Sequence, residues 1–250
     1  MRSRAAAKPV EQSYTGLSAA ELPAALAHLH ASLSVGAGVR ITLRLRKRVP
    51  PTNRSDAIDL LEAAGFTGVE VQARSRAAEI RLHARRARSL PDWIRPRLRL
   101  LICGLNPSLY SADVGIPFAR PGNRFWGAAR RAGLKLADRD PFDALMHGIG
   151  FTDCAKRATR RAQELRRQEY VMGLARIEKQ IRRYRPATTC FVGLDGWRRV
   201  RDRHAMPGWI SGGLAGQPAY LMPSTSGLNA RVGLAALAVH LRRAARGPGA

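Results

Sequence analysis

Apolar and polar residues alternate with different periods in the first third of the chain. The run Val39–Leu45 alternates with period two, which predicts a half-buried strand whose outer face is rich in arginine. Before it, Ser18 and Glu21 have the spacing of a capping box. The leucines that follow recur at helical intervals as far as Leu33, so a helix is predicted from Ser18.

Further short elements complete a small α+β unit in this region. Ser55 is expected to cap a helix that ends at Gly65, and strands are predicted at Val69–Val71 and Ala78–Leu82. Residues 1–16 are basic and lack periodicity, which predicts an unstructured tail. The order of elements resembles the end of a class I methyltransferase domain, but no strand–GxG–helix cofactor loop precedes it. An accessory domain is therefore favoured over an active methyltransferase.

Apolar runs and amphipathic segments alternate through the rest of the chain. Strands are predicted at Leu98–Cys103, Thr188–Val192 and Ala219–Met222. Helices are predicted at Phe125–Ala132, at Gln168–Tyr184 and from Leu234 onward. This alternation predicts a three-layer α/β/α fold with a central, mainly parallel sheet, which binds ligands at the carboxyl ends of its strands. We predict an α+β domain at 1–88, a linker at 89–96 and a second domain at 97–250.

Composition narrows the class of protein. No run of about 20 apolar residues occurs, so a membrane-spanning helix is not expected, nor is a secretory leader. The three cysteines are too far apart for a CxxC metal site or a disulfide framework, which indicates a reducing, cytoplasmic location. Of 250 residues, 43 are Lys or Arg and 18 are Asp or Glu, which gives a net charge of +25. Such a charge favours a polyanionic partner such as nucleic acid, although a GC-rich genome would also enrich arginine.

Two loops at predicted strand ends carry the candidate chemistry. The first reads GLNPSLYSADVGIPFARPGNRFW from Gly104 to Trp126. Its Asn106 side chain has no useful proton affinity, so it can orient a water molecule but cannot act as a general base. Phe118 offers a flat face to a heterocycle. Arg120, Asn123 and Arg124 supply donors for phosphate or for the carbonyls of the loop itself.

These residues resemble a known family of repair enzymes. The segment from Gly104 to Trp126 resembles the first motif of the mismatch-specific uracil/thymine-DNA glycosylases, the second family of the uracil-DNA glycosylase superfamily. The run GIGFTDCAKR at Gly148–Arg157 is similar to the middle segment of that family, and MPSTSGLN at Met222–Asn229 to its second active-site motif. The resemblance covers residues 97–245. It implies a monofunctional glycosylase for base excision repair that acts on uracil at G:U mismatches, with thymine at G:T mismatches or other damaged bases as further candidates.

The resemblance also implies roles for individual residues. Asn106 would position the hydrolytic water, and Phe118 would stack on the flipped base. The base pocket would be completed by Leu105, Ser108, Ser111 and Asp153. Contacts to DNA would come from Ser224, Thr225, Ser226, Gly227, Leu228, Asn229, Arg231, Arg120, Asn123 and Arg124, with Leu228 as the apolar wedge. No metal and no cofactor is implied, and the partner would be double-stranded DNA bound by a monomer.

Other functions remain open on the sequence. A non-catalytic nucleic-acid-binding protein could keep the same fold, although Asn106 and Phe118 argue for turnover. A bifunctional protein derived from a methyltransferase is a third reading.

In a glycosylase, the target nucleotide must leave the stack at a cost of a few kcal/mol, which is smallest at a mismatch. Since an amide activates water weakly, slow turnover is expected. Arg231 lies one residue beyond the position at which some relatives carry an arginine that reads the opposite guanine.

Overall fold

A four-stranded mixed sheet forms the N-terminal unit of the computed structural model, which describes residues 8–18, 20–44, 54–75, 79–229 and 231–249. Its strands are β1 (Val10–Thr15), β2 (Gly38–Arg44), β3 (Phe66–Ser75) and β4 (Glu79–Arg86), in the order β1-β2-β4-β3. The helices α1 (Leu22–Ser32) and α2 (Arg54–Ala63) pack through leucines against one face of the sheet. The arginines predicted on the other face of β2, Arg40 and Arg44, are exposed.

The prediction of an unstructured tail is wrong for residues 10–15, which form β1. This strand pairs in parallel with β2, from Val10 opposite Val39 to Thr15 opposite Arg44. Its pairing partner lies about 30 residues along the chain, and an edge strand with exposed charges has little apolar periodicity. Residues 1–7 lie outside the described part of the chain.

A five-stranded sheet forms the centre of the second unit. Its strands are β5 (Leu100–Gly104), β6 (Ile149–Asp153), β7 (Thr189–Val192), β8 (Gly208–Trp209) and β9 (Ala219–Met222), in the order β6-β5-β7-β9-β8. All pairs are parallel except that of β8 with β9. The predicted mainly parallel sheet is therefore confirmed. Strand β6 was recognised only as a motif, since Gly148 and Gly150 interrupt its apolar pattern.

Helices cover both faces of this sheet. They are α3 (Leu109–Val114), α4 (Phe125–Arg131), α5 (Pro141–Met146), α6 (Arg167–Tyr184), α7 (Asp195–Val200) and α8 (Leu234–Arg246), with a 3-10 turn at Ala162–Glu164. One core contains the inner faces of α4, α5 and α8. The opposite core contains the apolar stripe of α6 together with α7. The three-layer α/β/α fold is thus as predicted, whereas α3, α5 and α7 were too short to stand out in the sequence.

The segment predicted as a linker is packed against the second unit. Leu90, Trp93 and Ile94 are buried, and Trp93 exchanges two backbone hydrogen bonds of 2.9 Å with Phe151 on β6. The division of the chain into domains at this segment stays a prediction. None of the described helices is long and apolar enough to cross a membrane.

Asp92, in the same segment, is the centre of a buried charge network. Its carboxylate, 2 % exposed, accepts hydrogen bonds from Thr152 Oγ1 (2.8 Å), Lys156 Nζ (2.9 Å), Arg176 (2.6 Å) and Gln180 Nε2 (2.5 Å). Burial alone would raise the pKa of Asp92, but Arg176 and Lys156 outweigh it, so the pKa is lowered and the group is ionised. The network fixes residues 89–93 to β6 and α6.

Candidate active site

Asn106 lies just beyond the carboxyl end of β5, where the chain turns away from the sheet. Its amide nitrogen Nδ2 lies 2.8 Å from Thr159 Oγ1 and 3.0 Å from the carbonyl oxygens of Arg157 and Pro107. Because all three acceptors face the nitrogen, the orientation of the amide is fixed. The oxygen Oδ1 has no hydrogen-bond partner among the described residues, and the side chain is partly exposed. Asn106 therefore presents a fixed hydrogen-bond acceptor to a ligand.

Gly104, two residues earlier, brings two of the other predicted site residues together. A Cβ atom at this position would lie less than 2.5 Å from Asp153 Oδ1 and 3.4 Å from Phe118 Cζ. The carboxylate of Asp153 and the ring of Phe118 thus occupy the space that a side chain at residue 104 would need. Glycine is therefore required at residue 104 because a side chain would clash with these neighbours, and not because the backbone has a positive φ.

Asp153 is a buried carboxylate at the end of β6. It is 8 % exposed, and no described residue donates a hydrogen bond to its side chain. Burial raises the pKa of Asp153 to about 6, with a further increase from Asp92, against the opposing charges of Lys156 and Arg176. The site thus contains a carboxyl group that changes protonation state close to neutral pH.

Phe118 is held in a strained conformation. Its φ is +57°, a left-handed value that is rare for a bulky residue other than glycine. Its ring stacks on Phe125 at 4.3 Å between centroids, with an angle of 18° between the planes. On either side, Trp126 Nε1 donates to the carbonyl of Pro117 (2.8 Å), and the amide of Ala119 donates to Ser111 Oγ (3.2 Å). Backbone strain maintained by such contacts is typical of functional sites.

The two serines of the first loop hold the backbone in place. Ser108 caps α3 by accepting a hydrogen bond from the amide of Ser111 (3.1 Å), and its hydroxyl lies 3.0 Å from Ser111 Oγ. Ser111 is 3 % exposed, so in this structure it supports the segment that carries Phe118. The side chain of Leu105 packs against α7, on the face of the sheet opposite to Phe118. A Cβ on Gly196 of α7 would lie 2.6 Å from Leu105 Cδ1.

Arg124 ties the first loop to the second. Its guanidinium donates to the carbonyl oxygens of Val232 (2.5 Å), Asn229 (2.6 Å) and Ser226 (3.2 Å). Of the two roles that the sequence left open for this residue, the structure shows binding to loop carbonyls. Asn123 is also engaged, since its Oδ1 accepts the amide of Phe125 (2.9 Å) at the start of α4.

The second loop is compact and presents one exposed apolar side chain. Its hydroxyl and amide groups bond internally: Ser224 Oγ accepts the amide of Ser226, and Asn229 Nδ2 donates to the carbonyl of Ser224 (2.9 Å). Thr225 is buried, and Gly227 approaches Gly122 so closely that a Cβ would lie 2.9 Å from its carbonyl oxygen. At the tip, Leu228 is 81 % exposed. Arg120 and Arg231 are exposed as well.

Two residues outside the predicted set contribute to this geometry. Thr159 orients the amide of Asn106, and its own amide donates to the carbonyl of Pro107 (3.1 Å). Trp126 fixes Pro117 next to Phe118. Thr159 was missed because it follows the middle motif by two residues. Trp126 is a buried core residue, and its hydrogen bond to Pro117 depends on a contact that periodicity does not reveal.

One small cavity lies next to Gly104. A space of about 20 Å³ behind Gly104, lined by Cys103, Leu105 and Cys154 among others, is large enough for one water molecule. A larger cleft of about 360 Å³ lies between α2 and α6 and contains neither Asn106 nor Phe118. Among the residues that the structure describes, no group of three His, Cys, Asp or Glu side chains could hold a metal ion.

Comparison with known proteins identifies the family of the chain. A solution NMR structure from Methanosarcina acetivorans, described as a "putative Uracil DNA glycosylase", is similar over 62 % of this chain and 95 % of its own length, at 19 % identity and a TM-score of 0.39. That score is too low to support an inference about the site. The family model "Uracil DNA glycosylase superfamily" matches residues 91–241, which include all three motifs described above. Since this match covers well over half of the sequence, the chain belongs to the uracil DNA glycosylase superfamily.

Proposed function

We propose that the protein is a monofunctional DNA glycosylase that hydrolyses the N-glycosidic bond of uracil in mismatched duplex DNA. The observation that carries this proposal is the fixed amide of Asn106 at the carboxyl edge of a parallel sheet, two residues after Gly104, against which Phe118 and Asp153 pack. Thymine and other damaged bases opposite guanine are further candidate substrates.

Asn106 would act on the attacking water. Its Nδ2 donates to Thr159 and Arg157, so the amide interacts with water through Oδ1, which accepts a hydrogen bond from it. An amide oxygen orients the water without removing its proton, so bond cleavage must run well ahead of attack, through an oxocarbenium-like sugar and a departing base anion. Positioning of this kind is worth about 100-fold in rate.

Phe118 and Asp153 would contact the base. One face of the Phe118 ring is covered by Phe125, which leaves its other side for a stacked pyrimidine. The imide N3–H of uracil is a hydrogen-bond donor, and ionised Asp153 is an acceptor with no other donor among the described residues. These contacts favour uracil and thymine, which both carry the imide, over cytosine, which does not.

Leu228 would stabilise the extruded state. Turning a nucleotide out of the duplex costs a few kcal/mol, and an apolar side chain inserted into the vacated stack offsets part of that cost. Leu228 is exposed on a loop that is rigid through its own hydrogen bonds. Arg124, which lies in the first motif, anchors this loop through the carbonyl oxygens of Ser226 and Asn229.

The decisive experiment is single-turnover excision on end-labelled duplexes that contain G:U, A:U, G:T or G:C, with alkali cleavage of abasic sites. Wild-type protein is expected to cleave G:U fastest and G:C not at all. Asn106→Ala is expected to slow the G:U reaction about 100-fold at saturating enzyme. Gln12→Ala, which removes an amide side chain from β1 in the other sheet, serves as the control and is expected to have no effect.

Two outcomes would contradict the proposal. Absence of abasic sites on every duplex, together with retained DNA binding, would indicate the non-catalytic binding protein instead. An unchanged rate in both Asn106→Ala and Asn106→Asp would remove Asn106 from the reaction. The Asp variant is informative because its carboxylate would face the carbonyl oxygens of Pro107 and Arg157, which repel it.

A further inference from the structure

Several arginines beside the candidate site have no carboxylate partner among the described residues. Four of them, Arg160, Arg161, Arg166 and Arg167, are exposed on the connection from β6 to α6 and on the first residue of that helix. A fifth, Arg199, is exposed on α7, and its guanidinium lies 5.4 Å from the centre of the Tyr170 ring. We call these five residues the arginine rim.

The acidic residues in this region bond to other groups. Glu164 accepts a hydrogen bond from the backbone amide of Arg161 (2.8 Å). Glu169 accepts the amide of Arg166 (2.8 Å) and forms an ion pair with Arg157 (2.8 Å), which holds its pKa at about 2. Both carboxylates therefore bond to backbone amides or to Arg157, and none of the rim guanidinium groups forms an ion pair of 4 Å or less with a described carboxylate. Unpaired like charges repel one another, so their clustering costs stability unless an anion binds them.

Backbone contacts place the rim beside the candidate site. Thr159, whose hydroxyl orients Asn106, forms a bridge with Ser108 and directly precedes Arg160. Arg167 Nε donates to the carbonyl oxygen of Arg199 (3.2 Å), so the start of α6 and α7 are adjacent. Helix α7 in turn packs against Leu105 of the first motif through Gly196. The rim thus begins next to Thr159 and extends to α7, on the face of the sheet that α6 and α7 cover.

We propose that the arginine rim binds the phosphodiester backbone of duplex DNA beside the extruded nucleotide. Exposed guanidinium groups bind phosphate oxygens through two parallel hydrogen bonds, and they suit a chain of phosphates better than a single anion because they are spread over two elements. The rim supplies the contacts that Arg124 cannot make, since its guanidinium is occupied by loop carbonyls. The position of the rim beside the extruded nucleotide rests on the proposed function, whereas the binding of duplex DNA by the rim does not.

The test is the salt dependence of binding to an undamaged, fluorescein-labelled duplex, measured by fluorescence anisotropy between about 50 and 200 mM KCl. Each lost phosphate contact reduces the slope of log Kobs against log [KCl] by about 0.9. The triple variant Arg160→Gln, Arg161→Gln, Arg166→Gln should therefore lose about 2.7 from the slope. The corresponding triple Lys variant should retain most of it, because lysine keeps the point charge.

The matched control removes three exposed arginines at the opposite edge of the sheet. Arg97, Arg99 and Arg185 have no carboxylate partner among the described residues, and they lie next to the amino ends of β5 and β7. Their triple Gln variant has the same net charge as the rim variant, and its slope should change by less than about one phosphate contact. Equal losses in both triples would overturn the proposal in favour of a nonspecific effect of net charge, and so would an unchanged rim variant.

A further readout separates this proposal from the proposed function. At subsaturating protein, the rim variant should excise uracil more slowly than the wild type, because it binds the duplex less tightly, whereas the Arg97, Arg99 and Arg185 variant should not. If wild-type protein excises no base, the proposed function fails while the salt dependence still tests the rim. Circular dichroism and the thermal midpoint of each variant confirm that a loss of binding does not come from unfolding.

Discussion

Substitution of Asp153 by asparagine should stabilise the protein at neutral pH. The pKa of Asp153 is raised by burial to about 6 from an ordinary value of 3.8. The folded state therefore disfavours the ionised form, and each pKa unit corresponds to about 1.4 kcal/mol, so ionised Asp153 costs about 3 kcal/mol at pH 7.5. Asparagine has nearly the same shape and no charge, so Asp153→Asn should raise the free energy of unfolding by up to this amount.

The sign of the pH dependence provides the sharper test. Between pH 3.8 and about 6 the unfolded chain loses its proton before the folded one, so the wild-type protein loses stability as the pH rises through this range. The difference in free energy of unfolding between Asp153→Asn and the wild type should shrink from about 3 kcal/mol at pH 7.5 to about 1 kcal/mol at pH 4.5. Urea denaturation at the two pH values measures both differences.

A control of opposite sign is available in Asp113. Its pKa is lowered by a hydrogen bond from Arg88, so Asp113→Asn should not stabilise the protein at pH 7.5. If Asp153→Asn is no more stable than the wild type at pH 7.5, or if its advantage is the same at pH 4.5, the argument from burial is refuted. A stabilised variant with reduced excision would show that the carboxylate is retained for function at the expense of stability.

Three further predictions concern activity and packing. The single-turnover rate on G:U duplex should fall as the pH drops below about 6, where Asp153 gains a proton. The rate of Asp153→Asn should not show this fall. A wild-type rate that is constant across this pH range would contradict the contact between Asp153 and the base. Leu228→Ala should weaken binding to a duplex with an abasic site by about 10–30-fold, from about 1.5–2 kcal/mol of lost apolar burial, whereas Met146→Ala on α5 should not, and equal effects would exclude a wedge. Gly173→Ala should cost about 3 kcal/mol or more in urea denaturation, because the new Cβ would overlap the carbonyl oxygen of Cys154. Gly127→Ala, also within a helix but with its nearest atom 3.5 Å away, should stabilise the protein by up to about 1 kcal/mol, and a similar loss in both would contradict the packing argument.

Much of the fold could be predicted because its elements are locally encoded. Ala219–Met222 is an apolar run that becomes β9 with the same bounds, and the apolar stripe from Tyr170 to Tyr184 becomes the buried face of α6. Strand β1 could not be predicted, since its stability comes from pairing with β2 rather than from its own residues. Burial of residues 89–96 was missed for the same reason, because Pro91 and Pro96 are typical of linkers and the contacts with β6 are distant in sequence.

The candidate site shows a similar division. The motifs made Asn106, Phe118 and Asp153 candidates, and the structure adds that Phe118 and Asp153 both pack against Gly104. The engagement of Arg124 could not be decided from the sequence, because its carbonyl partners lie more than 100 residues further along the chain. The contribution of Thr159 likewise depends on a contact between the ends of two neighbouring strands.

The placement of Asp92 has a consequence for where a stable fragment of the second unit can begin. Its carboxylate forms ion pairs with both Lys156 and Arg176, and Arg176 also donates to the carbonyl oxygen of Asp153. A fragment that began after residue 96 would contain the whole central sheet but would lack the carboxylate that pairs with these two buried cations, a loss that typically costs about 3–5 kcal/mol. A stable fragment of the second unit should therefore begin upstream of Asp92.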